Sequence, residues 1–73
     1  MEGINYRDKN SMLRLLERTT KKGHPIAMSI NDFQKYFIKK DKSYKNESLR
    51  NFLDRNEKLC KINHGLQVLY FKW

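Results

Sequence analysis

Seventy-three residues, of which 38% are hydrophobic, fit one small domain with a single core. Four Phe, four Tyr and one Trp argue for a folded chain despite 33% charged residues. A net charge of +8 calls for a polyanionic partner, nucleic acid ahead of an anionic membrane surface, and the single cysteine, Cys60, excludes an internal disulfide framework.

Residues 1–10, MEGINYRDKN, show no hydrophobic period and carry two acids against two bases, which predicts an irregular N-terminal arm preceding a domain over residues 11–73. Their polarity does not fit a signal peptide, and the longest apolar run, residues 68–71, is far too short to span a bilayer, so an intracellular setting (cytoplasm, nucleoid or nucleus) is expected. From Ser11, read as an N-cap, Met12, Leu13, Leu15, Leu16 and Thr19 line one side of a first helix. Gly23, after two lysines, supplies its stop. Pro25 prevents continuation, and Ile26-Ala27-Met28 is long enough only for a connector or a minimal strand.

Ser29, with Asp32 three residues later, approximates a capping box, so a second helix begins at Ile30 with Phe33 and Phe37 inward and Tyr36 half exposed. The lysine-rich turn around Lys39, Lys40, Lys42 and Lys45 ends it. A third helix is expected to start between Ser43 and Asn46 and to run to about Asn56, with Leu49, Phe52 and Leu53 at helical spacing on the core side. The closing stretch, KLCKINHGLQVLYFKW, places two strand-forming runs around Asn63-His64-Gly65, a hairpin signal. Leu69, Phe71 and Trp73 share one strand face, Val68 and Tyr70 the other. One of these sets exceeds what a small core can bury, leaving either a C-terminal aromatic folded onto the first helix or an apolar strip for a second subunit.

The order of helix, connector, helix, helix and hairpin gives an α+β fold. Carried by SINDFQKYF, KNESLRNFLDRNEKL and KLCKINHGLQVLYFKW, it resembles a winged-helix domain, the helix-turn-helix variant whose hairpin is the wing. The resemblance spans about residues 11–73 and rests on element order and apolar spacing. It implies a double-stranded DNA partner, a third helix that enters the major groove, and a wing that approaches the backbone or minor groove.

At about 100° per residue, the side of the third helix away from Leu49 and Leu53 presents Tyr44, Glu47, Asn51, Asp54 and Arg55, flanked by Ser48 and Arg50. Asn51 is suited to bidentate pairing with adenine and Arg50 with guanine; Tyr44, Lys45, Asn46 and Ser48 suit bases or phosphates. Lys39, Lys40, Lys42 and Lys45 bracket the helix start, whose unpaired N–H groups already favour an anion, and so form the expected phosphate clamp. Lys61 and His64 are the wing candidates. Glu47 and Asp54 oppose groove insertion unless they accept from cytosine or pair with nearby cations; Lys45, Arg50 and Arg55 leave that helix only +1 against them. Those acids and the spare aromatics equally suit a protein-interaction module, and an exposed Tyr44 would suit stacking on unpaired RNA.

No phosphate loop, metal-ligand set or activated nucleophile is recognisable, so the expected function is non-catalytic, without cofactor or small-molecule substrate. A regulator of transcription or a replication accessory is the leading expectation. A lone copy would touch few phosphates, which favours a homodimer or a protein partner, and no lipidation signal points to a membrane.

Overall fold

The structure, a computed structural model, describes residues 3–72. Its elements in chain order are helices α1 (Tyr6–Leu16), α2 (Ile30–Ile38) and α3 (Asn46–Arg55), then strands β1 (Leu59–His64) and β2 (Gln67–Lys72). Three helices followed by an antiparallel hairpin agree with the expected α+β architecture, whereas several boundaries differ.

The first difference is the N-terminal arm. Residues 6–10 belong to α1, because Asn5, in extended conformation, caps the helix by accepting from the Asp8 N–H at 2.8 Å. Ile4, just outside, is 6% exposed and joins the core. Ser11 is therefore not a cap; it lies mid-helix, its Oγ donating to the Arg7 carbonyl. The helix also ends sooner than expected, at Leu16, so Thr19 is not on its inner face. Thr19 forms an isolated antiparallel bridge with Pro25, Ile26 N–H bonds to the Arg18 carbonyl, and Gly23, at φ +82°, turns the chain between them. Gly23 thus serves a loop reversal rather than the end of a helix.

Ile26-Ala27-Met28 resolves as a minimal strand at its last residue. Met28 and Tyr70 exchange both backbone hydrogen bonds, at 2.9 and 2.8 Å, tying the α1–α2 connection to β2. The capping box of α2 forms as expected, with Asp32 N–H donating to Ser29 Oγ and Ser29 N–H to Asp32 Oδ2. Beyond Ile38 the chain reverses through Asp41 at φ +57°, a conformation Asp tolerates, while Lys40 and Lys42 N–H groups both reach the Phe37 carbonyl.

The N-cap of α3 is Lys45, which offers no side-chain acceptor. Gln34 of α2 supplies the local order instead: its Nε2 donates to the Tyr44 carbonyl at 2.6 Å and to Asn46 Oδ1 at 2.8 Å. Met12 and Leu16 of α1, Phe33 and Phe37 of α2, Leu49 and Leu53 of α3 and Tyr70 of β2 form the core.

The hairpin register pairs Lys61 with Tyr70 and His64 with Gln67, so the turn is Gly65-Leu66 and not Asn63-His64-Gly65. Gly65 takes φ +65° and Leu66 a negative φ, the pattern of a type II′ turn with Gly at its first central position. Tyr70, buried, faces the core with half-buried Val68 on its side of the sheet; Leu69 and Phe71 lie half-buried on the other. Trp73 lies outside the described residues.

Tyr70 gives a direct stability test. Burial first, then the Asp54 carboxylate accepting from its hydroxyl at 2.9 Å, pushes the phenol up to about 12 from an ordinary 10.0. The folded state keeps this proton after the unfolded chain has lost it, so the contribution is complete below about pH 10 and disappears between about pH 10 and 12. Ultraviolet titration of phenolate, run beside a melting curve at each pH, should show Tyr70→Phe losing stability less steeply over that window than the parent.

Candidate nucleic-acid interface

The exposed side of α3 carries Glu47, Arg50, Asn51 and Arg55, with Ser48 half-buried at its edge. One flank of this helix borders an open groove of about 790 Å³, whose other wall is the N-terminal segment at Gly3 and Ile4. Lys9, Lys45, Arg55 and Lys58 line it, against the acids Glu47 and Glu57. Ser48 and Asn51 lie between them, and Phe52 forms an apolar wall with the Lys9 ammonium 5.7 Å from its ring centroid. Lys9, Arg55 and Lys58 form no ion pair among the described residues. No protein-family model, curated protein or solved structure matches this chain.

The expected lysine clamp is divided by the fold. Lys45 alone of the four borders the α3 groove. Lys42 turns inward to Asp8 at 2.7 Å, where the carboxylate is 4% exposed. Tyr44 also donates its hydroxyl to Asp8 and sets its ring edge-on to Phe37 at 5.0 Å, so it is half-buried and not the exposed stacking platform expected for RNA. Asp8 raises the Tyr44 phenol above its ordinary value, with burial adding to the effect. Lys40 lies 4.7 Å over the Tyr36 ring and holds that phenol below its usual range. Lys39 borders a different groove, between the end of α1 and α2.

The other expected contacts divide in the same way. Asp54 is not an acid awaiting a partner on the outer face: it accepts from Tyr70 Oη and from Lys61 Nζ at 3.4 Å, fastening the hairpin to α3. Lys61 is correspondingly turned from the hairpin tip towards α3. Asn46 accepts from Gln34. His64 is exposed at the end of β1, and Leu66, fully exposed at the tip, replaces it as the outermost side chain. Ser48, Asn51, Arg55 and Lys45 are therefore brought together, Arg50 stands on the opposite flank near Tyr70, and Lys40 and His64 lie elsewhere on the surface.

Sequence reasoning missed Lys9, Lys58 and Phe52 as members of this groove. The sequence places Lys9 in an irregular arm and Phe52 on the core side, where Phe52 does pack while also walling the groove. The available signal was Asn5 followed three residues later by Asp8, a helix start that would have carried Lys9 onto a structured wall.

Among the described residues there is no cluster of metal-ligating side chains, and no helix is long and apolar enough to cross a membrane.

Proposed function

We propose that the protein binds double-stranded DNA without catalysing a reaction, using α3 in the manner of the winged-helix proteins its element order resembles. The observation that carries this reading is the groove beside α3, in which Lys9, Lys45, Arg55 and Lys58 flank the hydrogen-bonding side chains Ser48 and Asn51. Cations of this kind serve phosphates and fix the register of the helix; Asn51 and Arg50 are suited to base edges. Asp54, satisfied by Tyr70 and Lys61, no longer weighs against groove insertion. A regulator of transcription or a replication accessory in an intracellular setting fits such a module.

The test is fluorescence anisotropy with a mixed-sequence duplex over a salt series. Neutralising about four phosphates gives a slope near −3.6 in log–log form, or roughly a hundredfold loss of affinity between about 50 and 200 mM salt. The double charge reversal Lys45→Glu with Arg55→Glu should weaken binding by about tenfold or more at low salt. Salt-independent binding, or an unaffected double variant, would overturn the reading.

Glu47 favours a second reading, a protein-docking face, since this acid stands exposed on the groove rim and forms no ion pair among the described residues. Glu47→Gln separates the two: a few-fold tightening on duplex DNA supports the first, and an unchanged affinity with loss of a protein complex supports the second.

A further inference from the structure

A second groove, of about 440 Å³, lies between the C-terminal end of α1, the chain at residues 26–28 and one side of α2. Half-buried Leu15, Ile26, Met28 and Tyr36 form its floor, and Arg18, Lys35 and Lys39 its rim. On α2, the positions bordering this groove, Asp32, Lys35, Tyr36 and Lys39, are centred roughly 150° around the helix from Gln34, which faces α3. This groove therefore lies on the side of α2 turned away from α3.

We propose that this groove is a docking site for an extended acidic peptide segment of a partner protein, bearing a bulky apolar anchor residue. Three observations converge on that occupant. The rim is cationic, and its only acid among the described residues, Asp32, already accepts from the Ser29 N–H within the capping box, so the field presented outward favours carboxylates. The floor is apolar, which gives an anchor side chain a place to bury and disfavours a bare phosphate chain. Ala27 is exposed, and among the described residues neither its N–H nor its C=O is hydrogen-bonded, although its neighbours are bound, Ile26 to Arg18 and Met28 to Tyr70. That leaves one donor and one acceptor at the groove edge for the main chain of an extended segment, the pairing used in strand addition.

Binding is read by anisotropy of a short labelled peptide with Glu and Asp residues flanking a Leu-Phe pair, added to the full chain. The expected result is saturable binding that falls about tenfold or more for Arg18→Glu with Lys35→Glu, and likewise for Ala27→Glu, which blocks the groove edge at a position outside the core. Melting curves of both variants should match the parent, since all three positions are exposed. A peptide with Lys in place of its acids, and one with Ala in place of Leu-Phe, should both fail to bind. Lys45→Glu with Arg55→Glu should leave peptide affinity unchanged, and duplex DNA should not displace the peptide. No binding at millimolar peptide, insensitivity to the groove variants, displacement by DNA, or equal binding of anionic lipid vesicles at the same residues would each overturn the proposal.

Discussion

Phe37→Ala should abolish cooperative unfolding or leave a domain that melts near ambient temperature. Phe37 is fully buried at the centre of the core, and its ring meets Tyr36 at 5.2 Å and Tyr44 at 5.0 Å, both edge-on. Truncating a buried Phe costs about 3–5 kcal/mol through lost burial and the cavity left behind. The two aromatic contacts each add about 0.5–1.5 kcal/mol beyond burial. A domain of this length has about 4–11 kcal/mol in total, so this one change removes a large part or all of it. Urea unfolding followed by circular dichroism checks the expectation; a sigmoidal transition with an unchanged midpoint would refute it. Leu66→Ala, at the fully exposed hairpin tip, is the matched control and should leave the midpoint in place.

Asp8→Ala should be the most damaging change at any charged position. The Asp8 side chain is 4% exposed and receives both the Lys42 ammonium and the Tyr44 hydroxyl, linking the first turn of α1 to the turn before α3. Removing it leaves a half-buried cation and a half-buried hydroxyl without their acceptor, a loss of about 2–3 kcal/mol once the partial exposure of Lys42 is allowed for. For a domain of this size that corresponds to a fall of about 10–20 °C in Tm.

Burial alone would raise the Asp8 carboxyl, but the Lys42 and Tyr44 donors outweigh it, and its value lies below the ordinary 3.8. The folded state therefore binds fewer protons than the unfolded chain on acidification. The stabilisation is complete above the unfolded value and is lost as pH falls from about 4 through the lower folded value. Chemical denaturation at a series of acidic pH values should show this slope in the parent and a flatter one in Asp8→Asn. A variant with the parent's pH profile would place the acid sensitivity elsewhere.

The elements whose signals are local were legible in the sequence. The Ser29–Asp32 box fixed the start of α2, and the spacing of Leu49 and Leu53 gave the inner side of α3. The hairpin was evident too, although its turn fell one residue later, because Gly65 serves as the first central residue and Leu66 completes the pair. What was hidden depended on long-range pairing. A buried aspartate looks like any surface acid until Lys42 and Tyr44 arrive from the other side of the domain, so residues 1–10 read as polar and irregular. The same pairing drew Lys42 and Tyr44 out of the expected binding set. Lys9 and Lys58 entered the α3 groove because folding brought together segments with no common periodicity.

The backbone bridge between Met28 and Tyr70 has a kinetic meaning. It makes the hairpin a continuation of the first half of the chain, and its two amides, at 2.9 and 2.8 Å, are protected by a contact between residues far apart in sequence. Such contacts form late and break only when the whole domain opens, so these amides should exchange with solvent with an opening free energy close to that of global unfolding. The tip at Gly65 and Leu66, by contrast, should exchange through local fraying. A hairpin anchored at its base and loose at its tip can adjust to a surface without loosening the core from which it extends.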